Sequence, residues 1–216
     1  DMVSFTKNFS DNGNPLWCLD IESGASTGWI ATNWLEDLLL HQQGPEIYDK
    51  WSNQELLSGS DEVTFSILDI GKLIFIEDAV FGSNKRMVRK EFRNNYKNLL
   101  DKENSCIFSW SGHFASNYFP SDKDFGSDYD FFKFPSAKNK DAMVGIGDAL
   151  IVVNPTKESK KVLNALIDDN FGEKWMSKND STYISANKNS DISSLKNKLT
   201  IKEVDYICER INKFNV

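Results

Sequence analysis

The composition is that of an acidic chain with enough apolar residues to fold. It has 216 residues, of which 40% are hydrophobic, enough for the core of one large domain or two small ones. Its 25 lysine and arginine residues are outnumbered by 32 aspartate and glutamate residues, for a net charge of -7. Proteins that bind nucleic acid normally carry a basic surface, so this balance argues against a nucleic-acid partner.

Neither a membrane span nor a secretory signal is evident in the sequence. No run approaches the roughly 18 consecutive apolar residues that cross a bilayer. The N-terminus DMVSFTKNFSDNGNP is polar and lacks the charged-then-apolar order of a signal peptide. A mature secreted chain and a cytosolic chain would both look like this.

The first third of the chain predicts a strand and two helices. Turn residues at 11–15 precede the apolar run LWCLDI at 16–21, which predicts a short buried strand. The stretch ESGASTGWIATNW follows at 22–34. A helix is predicted from about Asn33, and Gly44-Pro45 ends it and begins the next one.

Two amphipathic helices are predicted in the next part of the chain. The first opens with Ser58 and Asp61, which resemble a capping box, and its apolar face consists of Val63, Ile67, Ile70 and Ile74. The apolar face of the second consists of Val88, Phe92, Tyr96 and Leu99.

The remaining sequence alternates between predicted strands and predicted helices. Strands are predicted at 105–110 (SCIFSW), 128–135 (DYDFFKFP) and 142–155 (AMVGIGDALIVVNP). Helical spacing is seen in three groups of apolar residues: Val162, Leu163, Leu166 and Ile167; Phe171 and Trp175; and Val204, Ile207, Cys208, Ile211 and Phe214. Thr200 and Glu203 form a predicted capping box before the last group, and the polar stretch 177–198 reads as a surface excursion. The alternation predicts one α/β domain, a mixed sheet flanked by helices.

The three cysteines, Cys18, Cys106 and Cys208, are far apart and show no CxxC spacing. With only two histidines in the chain, a zinc site has few candidate ligands. We expect three buried thiols that act as small hydrophobic residues, and neither a metal nor a cofactor.

One motif would fit an enzyme. Residues Gly24 to Gly28 match the letters G-x-S-x-G of a serine hydrolase, with Ser26 as nucleophile and His113 as base. Such a match is common by chance. The GIGD sequence at 145–148 is too short for a dinucleotide-binding fingerprint, and the acidic stretch 122–130 lacks the spacing of a calcium loop.

Three places have the composition of a sugar-binding site. Sugar sites combine flat aromatic rings with carboxylates and amides, and such residues occur at 22–34, 109–114 and 145–148. Each follows a predicted strand, and ligands of open α/β sheets lie beyond the carboxyl ends of strands. The alternatives are structural: Trp34 is predicted to be buried and Trp29 partly exposed, while Trp110 could cap the core and Asp148 could cap a helix.

At these places the sequence resembles the extracellular solute-binding proteins of carbohydrate ABC importers, in particular the α-glucoside type. The resemblance is carried by PLWCLDIESGASTGWIATNWLEDLLL followed by GPEIYDKW, and by GSDYDFFKFP, VGIGDALIVVN and STYISANKN. It covers most of residues 13–190. It implies a two-lobed protein that closes on a sugar, in which residues 1–216 would be one C-terminal-like lobe of the type II periplasmic-binding-protein fold. The N-terminal lobe and the signal peptide of that family are expected to be absent from this chain.

The resemblance also implies the residues that would line the cleft. They are Glu22, Ser23, Thr27 and Trp29 from the first loop, Trp110 and His113 from the second, and Gly147 and Asp148 from the third. It implies a monomer in the periplasm or another extracytoplasmic space, with a carbohydrate ligand, ABC permease partners and no catalysis. A hydrolase using Ser26 and His113 and a purely structural interaction domain remain alternatives.

Overall fold

The computed structural model describes residues 1–101, 106–135 and 142–214, with the side chains of 209–214 excepted. The chain divides into two compact units, Asp1–Val144 and Gly145–Val216. Ser105 of one predicted strand and the side chains of Ile211 and Phe214 lie outside the described residues.

The first unit contains six α-helices in its described part. They are α1 (Met2–Asp11), α2 (Trp29–Gln43), α3 (Pro45–Ser52), α4 (Asp61–Ile74), α5 (Asn84–Met87) and α6 (Asn94–Leu100). Short 3-10 turns occur at Gly24–Ser26 and His113–Tyr118. Helix α2 packs against both α3 and α4, and α1 also contacts α4.

The core of this unit is built around residues 16–21, which we call the central segment. Leu16, Ile30 and Trp34 are fully buried, and the rings of Trp17 and Trp34 lie 5.2 Å apart. Helix α4 adds Ile70, Leu73 and Ile74 to the same interior. Burying each aliphatic side chain of this kind contributes about 1.5–3 kcal/mol, so this interior is the main source of stability.

Helix α1 was not predicted from the sequence, because its buried residues are polar. Thr6 and Ser10 are buried, and their hydroxyls donate to the carbonyls of Met2 and Thr6 within the helix. Asp1 caps the helix by accepting a hydrogen bond from the Ser4 amide at 2.8 Å. Back-bonded hydroxyls can be buried without cost to their hydrogen bonding, and a hydrophobic pattern does not show them.

The second unit has three α-helices in its described part. It contains α7 (Lys157–Leu166), α8 (Glu173–Met176) and α9 (Lys198–Phe214), with a 3-10 turn at Ile192–Ser194. Its buried side chains include Met176, Leu199 and Val204. The hydroxyl of Thr200 donates to the Ser181 carbonyl at 3.1 Å and joins α9 to the segment before it.

The prediction of a mixed sheet flanked by helices is wrong. The structure is 48% helical and only 4% strand or bridge, and its described ranges contain no sheet. Trp17 pairs in parallel with Val80 and Phe108, but each pairing is an isolated bridge. Residues 142–155, predicted as the longest strand, form neither helix nor strand. An apolar run becomes a strand only when a neighbouring backbone pairs with it along its length, and the described residues supply single pairings at most.

Several predicted helix boundaries and faces also change. Helix α2 begins at Trp29 rather than near Asn33, while α3 begins at Pro45 as predicted. Of the predicted helix over residues 88–99, only α6 forms, from Asn94 onward, and Val88 is exposed directly after α5. Ile67 is 48% exposed and does not share the buried face of α4. Thr200 lies inside α9 and does not cap it.

The expectation of three buried thiols is wrong, because Cys18 and Cys106 form a disulfide. Both residues are buried, and their Cα atoms are 5.4 Å apart. The bond connects the central segment to the segment that pairs with it, across 88 residues of sequence. Cys208 is an exposed free cysteine. The sequence separation hides the pairing, since no local spacing reveals it.

We predict that reducing this disulfide destabilises the first unit strongly. A closed loop of this length restricts the unfolded chain enough to contribute about 4 to 5 kcal/mol. Urea unfolding of a Cys208→Ser variant, with and without prior reduction, measures the difference through tryptophan fluorescence. Cys208→Ser without reduction is the control and should unfold like the original chain. Equal unfolding midpoints for the oxidised and reduced forms would contradict the prediction.

Candidate functional site

The loop at residues 22–28 is held in shape by its own side chains. The carboxylate of Glu22 accepts a hydrogen bond from the Gly24 amide at 2.7 Å. The hydroxyl of Thr27 accepts from the Ser23 amide at 3.0 Å and donates to the Gly24 carbonyl at 2.7 Å. Gly28, directly before α2, has φ of +95°, a conformation that favours glycine. Its amide donates to the Ile21 carbonyl and so closes the loop. The glycine-rich loop is therefore a defined turn.

Asp20, two residues before this loop, is clamped in the interior. Asn95 donates from its amide nitrogen to the Asp20 carbonyl and accepts from the Asp20 amide with its side-chain oxygen. The carboxylate of Asp20 is buried and pairs with Arg86 at 3.1 Å. Burial raises the pKa of Asp20 to about 6, and the nearby charge of Arg86 opposes that rise. These contacts place the start of the loop against residues 86–95.

Trp29, Phe92, Phe114 and Tyr118 form a closed ring of aromatic contacts, which we call the aromatic patch. Trp29 lies 5.3 Å from Phe92 and 5.6 Å from Phe114, measured between ring centroids. Tyr118 completes the ring at 5.8 Å from Phe92 and 6.5 Å from Phe114. Phe92 is buried, Trp29 and Phe114 are half-buried, and Tyr118 is 40% exposed. The patch therefore has a buried base and an accessible rim.

The burial predicted for the two tryptophans of the loop is confirmed. Trp34 is fully buried and lies edge-on to Phe134, whereas Trp29 remains partly exposed as the first residue of α2. The turn before α2 brings Trp29 out of the interior, while Trp34 sits more than one helical turn later on the buried side.

A charged pair that the sequence analysis missed lies beside the aromatic patch. The guanidinium of Arg93 lies over the rings of Phe92 and Tyr118, at 5.0 and 5.2 Å from their centroids. Arg93 also pairs with Glu91 at 3.0 Å, and the backbone of Glu91 pairs with that of Glu22. Cation–π contacts of this kind orient an exposed arginine. In the sequence these residues appeared only as the polar side of a predicted helix.

The structure brings the turn that begins at His113 next to the first predicted group, because Phe114 of this turn contacts Trp29. His113 begins the turn His113–Tyr118, and its ring lies 6.3 Å from Phe114 of the aromatic patch. Trp110 is half-buried and packs against the core. Gly147 and Asp148 are exposed and belong to the second compact unit.

Ser26, the nucleophile of the hydrolase alternative, ends the 3-10 turn Gly24–Ser26 and is exposed. A nucleophile elbow places its serine on a strained turn between a strand and a helix. Within the described chain, the non-glycine residues with positive φ are Gln54, Asp78 and Ser83, so Ser26 does not have that kind of strain. The match to G-x-S-x-G is therefore one of letters and not of backbone shape.

The described ranges contain neither a metal-binding cluster nor a membrane-spanning helix. Across 1–101, 106–135 and 142–214, no group of three His, Cys, Asp or Glu side chains could hold a metal ion. Over the same residues no helix combines the length and apolarity needed to cross a bilayer.

We predict that the two histidines titrate on opposite sides of pH 6.5. Desolvation of its ring lowers the pKa of His113. The hydrogen bond to Asp37 raises the pKa of His41, whose Nδ1 lies 3.2 Å from the Asp37 carboxylate. The contribution of His41 to stability is thus complete below pH 6.5 and lost as pH rises through its folded pKa. For His113 it is present above pH 6.5 and lost as pH falls.

NMR titration of the two imidazole rings measures both midpoints. Asp37→Asn should lower the midpoint of His41 and leave that of His113 unchanged, which also assigns the two signals. A His113 midpoint above that of His41 would refute the environments described here.

Comparison with known proteins identifies two similar curated chains. The alpha-glucosides-binding periplasmic protein AglE of Rhizobium meliloti (strain 1021) is 28% identical over 180 residues, which are 82% of this chain and 39% of AglE. The osmoprotective compounds-binding protein GgtB of Synechocystis sp. (strain ATCC 27184 / PCC 6803 / Kazusa) is 25% identical over 209 residues, 96% of this chain and 49% of GgtB.

The chain therefore spans less than half the length of these two relatives. No family model matches the sequence. No solved structure matches it either. Both relatives are solute-binding proteins, and they confirm the resemblance of this chain to that class of protein.

Proposed function

We propose that this chain is part of an ABC-importer substrate-binding protein that captures a carbohydrate, an α-glucoside or another oligosaccharide, and delivers it to permease subunits. The observation that carries the proposal is the aromatic patch beside the turn at 22–28. A pyranose ring has weakly apolar faces and a rim of hydroxyls. The patch offers partly exposed rings for the faces, and the turn offers polar groups for the rim.

The polar groups around the patch suit a neutral ligand with many hydroxyls. Arg93 supplies N–H donors, and its charge is balanced by Glu91 at 3.0 Å. Glu22 and Ser23 are half-buried on the turn, where a carboxylate and a hydroxyl can accept or donate. The hydroxyl of Thr27 is already engaged within the turn, so its contribution is to shape the loop. Hydrogen bonds to charged groups are the stronger kind, which favours recognition of sugar hydroxyls.

The relatives support this ligand class in part. One is named for binding α-glucosides and the other for binding osmoprotective compounds. We favour the glucoside because the patch presents flat rings of the size of a pyranose. Capture requires no covalent step, which agrees with Ser26 lying on an unstrained turn.

Location outside the cytoplasm is part of the proposal. AglE is named as a periplasmic protein. The buried disulfide between Cys18 and Cys106 supports the same location for this chain, because such bonds persist in oxidising compartments and are rare in the cytosol.

We predict that Trp29→Ala weakens sugar binding. Losing a stacked ring should cost about 0.5–1.5 kcal/mol, and Trp29→Phe should restore part of the loss because it keeps a ring. Trp51→Ala is the matched control, since Trp51 is also a half-buried tryptophan on a helix, 6.0 Å from Tyr48. Calorimetry or NMR titration with maltose, trehalose and sucrose measures the affinities.

The 216-residue chain itself is expected to bind weakly, near the millimolar range, or about -4 kcal/mol. It spans less than half of its relatives and so supplies only part of a site enclosed on all sides.

Equal affinities for Trp29→Ala and Trp51→Ala would reject the aromatic patch as the site. Hydrolysis of activated esters that disappears in Ser26→Ala would favour the hydrolase instead.

We predict that Asp148 also accepts hydrogen bonds from sugar hydroxyls. It is exposed and follows Gly145 and Gly147, whose lack of side chains lets a ligand approach the backbone. Asp148→Ala should cost about 1.5–3 kcal/mol of affinity, as expected for hydrogen bonds to a charged group. Calorimetry on the variant measures this, with the exposed Asp180→Ala as control. An unchanged affinity would show that Asp148 makes no hydrogen bond to the sugar.

A further inference from the structure

A stacked pair of aromatic side chains lies in the second unit. In the sequence, the pair is far from every residue assigned to the candidate site. Trp175 of α8 and Tyr183 lie 5.0 Å apart with their rings only 7° from parallel. Phe171 meets Tyr183 edge-on at 6.4 Å. These three side chains form what we call the Trp175 platform.

The platform is held in place from below. Gly172 has φ of +84°, and a Cβ atom at this position would meet the ring of Tyr183, so only glycine lets the ring pack against this backbone. The neighbour of Trp175 in α8, Met176, is buried and anchors the helix. The Tyr183 amide donates to the Ser181 hydroxyl at 3.2 Å, and Ser181 is itself buried. The position of both rings is therefore set by packing and hydrogen bonds.

Trp175 is nevertheless 54% exposed. Because Tyr183 covers one face of the indole, the exposed area comes from the other face and the rim. Leaving an aromatic side chain partly in water forfeits part of the free energy that its burial would contribute. An exposed ring held in one orientation has little conformational freedom left to lose, and this lowers the cost of binding a ligand.

Polar side chains border the platform along the chain. Asp168 and Asn170 are exposed on the turn before Phe171, and the Asn170 side chain donates to the Asp168 carboxylate at 3.1 Å. On the other segment, Asn187 donates to the carboxylate of Asp169 and so connects the two segments that carry the rings. Flat apolar rings on segments that also carry exposed carboxylates and amides suit a ligand ring with hydroxyls on its rim.

We infer that the Trp175 platform is a second carbohydrate contact, at which the exposed face of Trp175 stacks on the apolar face of a pyranose ring. The ligand class rests on the proposed function, but the platform shares no residue with the aromatic patch. The two assignments can therefore fail separately.

The test follows the indole N–H signals of the 216-residue chain by NMR, each assigned by a Trp→Phe variant. Maltose and trehalose are the pyranose probes, and glycerol is the control that has hydroxyls but no ring face. The Trp175 signal should shift with both sugars and not with glycerol. Trp175→Ala should weaken the sugar affinity reported by the remaining unit-two shifts about two- to twelve-fold. Trp29→Ala should leave the Trp175 shift unchanged.

Gly172→Ala provides a second variant, because it displaces Tyr183 and so removes the ring that supports Trp175, while the indole N–H of Trp175 is still present to be observed. This variant should reduce the sugar-induced shift of the Trp175 signal. The Trp29 signal is the control and should have the same chemical shift as in the original chain. A Trp29 signal that shifts while Trp175 does not would overturn this inference and leave the proposed function intact. Shifts at Trp175 alone would support the platform and count against the aromatic patch. Equal responses to glycerol and to the sugars would also overturn it.

Discussion

Burial of the backbone at residues 16–21 is the constraint on which the first unit depends. Leu16 is fully buried and Trp17 is nearly so, which places their amide and carbonyl groups out of reach of water. Unpaired backbone groups in such a place would be costly, so each must find a partner. The amides of Leu16 and Trp17 donate to the Ala79 carbonyl, and the Cys18 amide donates to Phe108. These few hydrogen bonds bring three distant parts of the chain together.

The disulfide and the Asn95 clamp extend that constraint toward the site. Cys18 is joined to Cys106 beside the pairing with Phe108, and Asp20 is held on both sides by Asn95. The chain leaves the interior immediately afterwards, at Glu22. The turn at 22–28 and the aromatic patch are therefore positioned by the core, although most of their own side chains are accessible. A rigid support of this kind is what a binding loop needs, because a loop orders itself at lower cost when its ends are fixed.

The second unit has a different balance between buried and exposed apolar surface. Helix α7 has an apolar stripe but buries none of its residues, and Val162 is 59% exposed. The interior of the second unit consists of a few side chains, such as Met176 and Leu199, and the hydrogen bond from Thr200 to Ser181 stabilises it. Because this interior is small, the position of an exposed ring such as Trp175 depends more on local contacts, among them that of Tyr183 with Gly172. Stability in this unit is accordingly expected to be low and local.

The sequence by itself determined the composition of the candidate site and much of the helical structure. The Gly-Pro start of α3, the burial of Trp34 and the partial exposure of Trp29 follow from turn chemistry and from the apolar neighbours of each residue. The likeness to solute-binding proteins is also visible in the sequence, since it rests on residue identities along one stretch. Only the tertiary structure decided which distant groups meet. The pairing of Cys18 with Cys106, the clamp of Asn95 on Asp20 and the stacking of Arg93 on Tyr118 join residues that no local period connects. The absence of a sheet from the described ranges has the same cause, because an apolar run records its tendency to be buried but not whether a neighbouring backbone pairs with it.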